Sequence, residues 1–338
     1  MDAGVQHVQV TDLNRVANLL VVANCFFCRR RMYHDMMTTD IEMFAQKVAA
    51  HPNFRVLRRL DPQYAGGSPI TSGRSRRAAI VDVETTGTNA DADKVIELGI
   101  IVFEYAAETG QVGPVVGHYS GLEDPRRPIP PETTAIHGIT DEMVAGQHLD
   151  EAAVAQLIEG VGLVIAHNAG FDRPFLEQRL PFLASLPWAC SLREIPWKDH
   201  GSASASLEFL AYRSGFFYDA HRAETDCRAL LAVLAHPLSG TDHSALWTLL
   251  EYARQPSYRL AALGAAFEVK DLLKARGYRW DAEARVWQRD LTATDQPAEL
   301  EWLKAEIYAG RSVEIGLESM DAKIRYSMRQ GERTRLRL

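Results

Sequence analysis

Four carboxylates and one histidine stand in the middle of this 338-residue sequence at positions that a packed core does not favour. Asp82 and Glu84 interrupt the apolar run Ala79-Ile80-Val81-Asp82-Val83-Glu84. Asp172 closes His167-Asn168-Ala169-Gly170-Phe171-Asp172, and Asp226 closes His221-Arg222-Ala223-Glu224-Thr225-Asp226. Side chains alternate across a strand, so a strand here sends Asp82 and Glu84 to one face and Val81 and Val83 to the other. Two like charges at half-buried neighbouring positions repel and resist ionisation unless a cation joins them. Hard divalent ions such as Mg²⁺ or Mn²⁺ favour such oxygen ligands. The pattern predicts a metal site suited to phosphate chemistry. His221 precedes Asp226 by five residues, about 500° of ideal helix, so the two would not share a helical face. A place in the turn before the helix, above the metals, suits His221 as a general base that takes a proton from water.

Those residues need a scaffold, and the surrounding pattern predicts an α/β one. Strands are expected over 78–84, 95–105, 112–120 and 163–166, with helices over 151–159, 171–180, 206–213 and 223–234. Strands lead and helices follow, which gives a mixed sheet with helices packed on it. We read residues 1–60 as an N-terminal helical appendage, with helical periodicity over 41–50 and a short strand over 54–57. Residues 61–77, rich in Gly, Ser, Pro and Arg, read as a mobile linker. Residues 78–236 form the main domain, 237–256 contain a connecting helix, and 257–338 form a small C-terminal α+β domain. Within that last domain, Trp280 and Trp287 are expected to face each other across a hairpin as core. The interleaved basic and aromatic residues of 270–280 also suit docking of nucleic acid or protein.

Composition bounds the class. With 46% apolar and 24% charged residues the chain is of ordinary globular type. No stretch approaches the roughly 20 apolar residues of a membrane span, so no membrane partner is expected. The apolar run 16–28 is followed, not preceded, by Arg29-Arg30-Arg31, the wrong order for a secretory signal. Four scattered cysteines point to a reducing cytoplasm. Cys25 and Cys28 have C-x-x-C spacing but lack a second ligand pair, and read as buried thiols. The net charge of −7 is unevenly spread: residues 1–80 hold 11 Lys/Arg against 6 Asp/Glu, and residues 81–235 hold 10 against 23. An acidic, cation-requiring centre with basic flanks is consistent with a polyanionic substrate.

Four blocks of the main domain resemble the motifs of DnaQ-like DEDDh 3′→5′ exonucleases: residues 81–87 (Val-Asp-Val-Glu-Thr-Thr-Gly), 136–140 (Ile-His-Gly-Ile-Thr), 167–172 and His221-x-Ala223-x-x-Asp226. The match spans about residues 78–236. It implies an RNase H-like mixed sheet flanked by helices and two divalent metal ions, Mg²⁺ or Mn²⁺, held by Asp82, Glu84, Asp172 and Asp226. His221 would be the base, with Arg222 standing where the tyrosine subclass would carry its Tyr. Thr85, Thr86 and Gly87 would form the turn beneath the terminal nucleotide, with His137 and Asn168 also at the substrate. The resemblance implies release of nucleoside 5′-monophosphates from single-stranded or frayed DNA 3′ ends, in repair, proofreading or end trimming, with a polymerase or repair complex as partner. An RNase T-like trimmer of RNA is the alternative. A non-catalytic scaffold would have been free to lose its acids. Glu97, on the second strand, is given no catalytic role and is paired with Lys94.

Overall fold

A computed structural model describes residues 40–338. The segment holding Cys25, Cys28 and the 16–28 apolar run lies outside the described residues. Residues 40–338 divide into two compact units, the first ending at Leu57 and the second running from Arg58 to Leu338. In the first, residues 40–49 form a helix (α1) and 54–57 are irregular. The strand expected over 54–57 instead lies at Arg58–Arg59 (β1) in the second unit, pairing in parallel with Phe216–Phe217 (β7).

The main sheet of the second unit has five strands in the order β4-β3-β2-β5-β6. They are β2 (Ser75–Thr85), β3 (Val95–Ala106), β4 (Val112–Leu122), β5 (Val161–Ala166) and β6 (Trp188–Cys190). The first three are antiparallel, and β5 and β6 run parallel to β2. Alternation along β2 divides the core. Ala78 and Ile80 pack beneath helices α7 (Leu207–Arg213), α8 (Ala223–Ala235) and α9 (Ala245–Ala253). Ala79, Val81 and Val83 pack on the other face with Phe175 and Leu176 of α5 (Ala169–Arg179). Asp82 and Glu84 continue the Ala78–Ile80 face, so the apolar stripe turns acidic where the strand ends. Three short helices, α2 (Pro131–His137), α3 (Asp141–Val144) and α4 (Glu151–Leu157), connect β4 to β5.

Two expectations need correction. The segment expected to be a loose linker is tied to the sheet edge: the Gly67 N–H donates to the Gly113 carbonyl at 2.8 Å and the Val115 N–H to Ala65 at 2.8 Å. Its last residues are already strand, since β2 starts at Ser75. The helix read as a connection, α9, buries Leu246, Leu249 and Leu250 in the core of the main domain instead.

The second sheet is antiparallel, ordered β12-β11-β8-β10-β9. Its strands are β8 (Ser257–Ala262), β9 (Arg279–Asp281), β10 (Val286–Thr292), β11 (Glu314–Met320) and β12 (Glu332–Arg337). Leu260, Leu273, Tyr278, Leu303 and Ile315 form a core of its own beneath α10 (Lys270–Ala275) and α11 (Gln296–Trp302). The 321–329 segment straps this sheet to the main domain. Fully buried Arg173 of α5 donates to the carbonyls of Ala322, Lys323 and Arg325 at 2.5–3.1 Å, and its Nε to Glu177 at 2.6 Å. A buried guanidinium left unpaired costs about 3–5 kcal/mol, so the strap and the helix that carries Asp172 are energetically coupled.

Candidate metal centre and active site

Asp82 and Glu84 leave the carboxyl end of β2 on the face covered by α8, and Asp226 meets them from the first turn of that helix. The close approach needs Gly99, which faces Asp82 across the β2–β3 ladder. A Cβ there would lie 2.3 Å from the main-chain carbon of Ala223. One oxygen each from Asp82, Glu84 and Asp226 lies within 4.8 Å of the others. Ligands of one Mg²⁺ at about 2.1 Å stand at most about 4.2 Å apart, so a small inward movement suffices, and the all-carboxylate set suits a hard cation. Asp172, on α5, is outside that trio. It is buried and accepts the Val83 N–H at 3.2 Å, which seats it between the two acids of β2.

Burial, and then the charges of Asp172, Asp226, Glu84 and Glu97, push the Asp82 carboxyl well above its ordinary range. Glu84 is pushed up to about 8 and Asp172 to about 7, in both cases chiefly by burial. Burial also raises Asp226, against hydrogen bonds from the Arg222 N–H and Tyr218. The cluster is thus a set of acids whose joint ionisation a bound cation would favour. Because these folded-state values lie above the unfolded values near 4, the folded chain keeps protons that the unfolded chain has lost between about pH 4 and 8. Stability without metal therefore falls as pH rises through that window. In EDTA the melting temperature is expected to be lower at pH 8 than at pH 6, and Mg²⁺ to raise it more at pH 8. A flat or opposite pH dependence would count against the cluster.

Sequence reasoning missed the clamp that builds the helix start. Glu97, buried, accepts the Arg222 guanidinium at 2.8 Å and the Ala223 N–H at 3.1 Å. It does not pair with Lys94. The first helical N–H is thus satisfied by a carboxylate from the neighbouring strand rather than by a local cap. Asp226 in turn accepts the Arg222 N–H at 3.0 Å and the Tyr218 hydroxyl at 3.1 Å. His221, next to the clamp, is solvent-exposed and holds φ +67°, a left-handed backbone uncommon outside glycine. Strand 95–106 carries two acids, Glu97 and Glu104, and an acid in the apolar run 95–98 was the available signal for Glu97.

The expected substrate residues are placed unevenly. The Thr85 hydroxyl donates to the Gly87 carbonyl at 2.5 Å. The Thr86 hydroxyl is buried, receiving Arg127 at 2.5 Å and the Lys94 N–H at 3.1 Å. Both threonine side chains staple the turn, which leaves its backbone and half-buried Gly87 as the parts open to a ligand. His137 Nδ1 accepts the Ile139 N–H at 3.0 Å, while its buried Nε2 has no partner among the described residues. Burial lowers the His137 pKa, with the nearby His221 a further lowering charge. Asn168 precedes α5 with φ +107° and makes no side-chain cap. His167 is structural: its ring lies 2.8 Å from both the Ser191 hydroxyl and the Ala205 carbonyl, and burial takes its pKa down to about 4.

A sheet of this order with acids converging at the end of its first long strand is that of an RNase H-like nuclease. Residues 79–234 match the exonuclease family. DNA polymerase III subunit epsilon of Treponema pallidum (strain Nichols) is 30% identical over 176 residues, which cover 48% of this chain and 78% of that protein. DNA polymerase III PolC-type of Clostridium perfringens (strain 13 / Type A) is 31% identical over 144 residues, 40% of this chain but 10% of that protein. The chain therefore spans only a small part of its PolC-type relative. The structure of exonuclease X in complex with 5′ overhanging duplex DNA is 27% identical, with a TM-score of 0.37 over 47% of this chain and 89% of that one. The chain belongs to the exonuclease family, as a DnaQ-like 3′→5′ exonuclease. No helix among the described residues is long and apolar enough to cross a membrane.

Proposed function

We propose that the chain removes nucleotides from 3′ ends of DNA, single-stranded or frayed, using Asp82, Glu84, Asp172 and Asp226 to hold two divalent ions, Mg²⁺ or Mn²⁺. The observation that carries this is the carboxylate trio within 4.8 Å at the end of β2, with Asp172 seated beside it. Such ions, when bound, supply a nucleophile at neutral pH and stabilise the leaving 3′-oxygen. His221 takes the proton of the attacking water. A water oxygen–phosphorus bond forms, the phosphorus–O3′ bond breaks, and a nucleoside 5′-monophosphate leaves a strand shortened by one residue. The His137 Nε2–H is a donor ready for a substrate oxygen, and the Thr85-Thr86-Gly87 backbone with Asn168 lines the terminal nucleotide.

The choice of DNA is supported by the likeness to a protein named as a subunit of a DNA polymerase, which also motivates a polymerase or repair complex as partner. A cytoplasmic setting agrees with buried, free Cys190 and Cys227. The test is matched 3′-labelled DNA and RNA 20-mers with Mg²⁺ or Mn²⁺. Mononucleotides are expected to leave the DNA faster. Faster release from RNA would replace this reading with an RNA-trimming one, because 2′-OH recognition depends on pocket shape.

A further inference from the structure

The basic and aromatic residues of 267–287 form a connected row on the second sheet and its helix. Phe267 is 73% exposed, and the Lys270 ammonium lies 3.8 Å from its ring centre. Lys274 follows Lys270 by four residues on α10, so the two side chains leave one helix face with Cβ atoms about 6 Å apart. The Lys274 ammonium lies 6.0 Å from the Trp287 ring, and Trp287 meets Trp280 edge-on at 5.6 Å across the β9–β10 ladder. Trp287 is half-buried against the core, as expected of it, but Trp280 is 51% exposed, which corrects the reading of both tryptophans as core. The core under α10 is already filled by Leu273 and Tyr278, so packing does not account for exposed rings at both ends of the row. Arg276, close by, is engaged by Glu299 and the Trp302 ring. Residues 267–280 hold Lys270, Lys274, Arg276 and Arg279 against Glu268 and Asp271, a basic stretch in an acidic chain.

We propose that this row is a second nucleic-acid surface, on which bases of single-stranded DNA stack on Phe267 and Trp280 while Lys270 and Lys274 meet the intervening phosphates. Rings accept any base and ammonium groups any phosphate, so the surface is indifferent to sequence. The proposal rests on the reading of the chain as a nuclease of DNA, and its role is to hold long strands that the catalytic cluster alone would release.

The full chain, its Trp280→Ala variant and a Lys270→Gln/Lys274→Gln double variant would be titrated against 5′-fluorescein-labelled dT30 in EDTA, which prevents cleavage. Trp280→Ala is expected to bind dT30 about tenfold or more weakly, in line with the loss of one stacked base, and the double variant to bind more weakly through the loss of two phosphate contacts. The double variant should also lower the slope of log K against log salt by about 1.4, two phosphates at about 0.7 each. Turnover of a tetranucleotide with Mg²⁺ should match the parent's in both, and Trp280→Phe should keep most of the dT30 affinity. Parent-like dT30 binding by both variants overturns the proposal and leaves the face to a protein partner. So does a tetranucleotide rate that falls in step with binding, which would mean damage to the fold. A parent inert on both oligonucleotides is a different outcome, failure of the nuclease reading, and leaves the binding comparison intact.

Discussion

His221→Asn is expected to lower kcat for nucleotide release by about 10²–10⁴, the usual worth of a positioned proton acceptor, with little change in KM or in divalent-ion affinity. Asparagine is the informative replacement because it tolerates the left-handed backbone that His221 occupies at φ +67°. The turn should therefore survive while the imidazole is lost. That turn is held from both sides, by the Glu97–Arg222 clamp and by the Arg222 N–H on Asp226, so the backbone next to the proposed base is fixed relative to a carboxylate of the cluster. Single-turnover rates on a 3′-labelled single strand, set beside Mn²⁺ titrations, would separate the chemical step from ion binding. A joint loss of both would mean that His221 serves the architecture of the site and not the proton transfer.

Asp82→Asn should act in two opposite directions. It keeps the side-chain shape but withdraws one negative charge from a group of acids that raise one another's pKa, so the metal-free protein should lose some internal repulsion at pH 8. The same change would remove a ligand from the proposed centre. Charge stabilisation by such ions is worth several kcal/mol, and at about 1.4 kcal/mol per decade a loss near 4 kcal/mol lowers turnover about 10³-fold. A variant that melts no lower than the parent in EDTA yet barely turns over would separate a ligand role from a folding role.

The acids were legible because they break local rules. Asp82 and Glu84 charge one face of a strand whose other face is Val81 and Val83, and the sheet that carries them follows from the strand-then-helix order. What stayed hidden is settled by contacts distant in the sequence. Glu97 is as anomalous in its strand as Asp82 is in its own, but its partner Arg222 lies 125 residues away, and only the nearby Lys94 was visible. Arg173 looks like an ordinary helical arginine until the strap supplies carbonyls from residues 322–325. The segment 61–77 has the composition of a linker because main-chain hydrogen bonds hold it, and those bonds leave no side-chain pattern. Strand β12 reads as a basic tail because Arg333 and Arg335 point to one face, where they pair with Glu318 and Glu314 of β11.

The proposed convergence of Asp82, Glu84, Asp172 and Asp226 on divalent ions is tested most directly by one rate comparison. Parent and Asp82→Asn chains, purified alike, would be given a 3′-end-labelled single strand of DNA with saturating Mg²⁺, and the initial rate of mononucleotide release recorded. The parent should release mononucleotides, stop on addition of EDTA, and outpace the variant by about 10³-fold. A variant that keeps a tenth or more of the parent rate, or a parent indifferent to EDTA, would contradict a catalytic metal centre at these carboxylates.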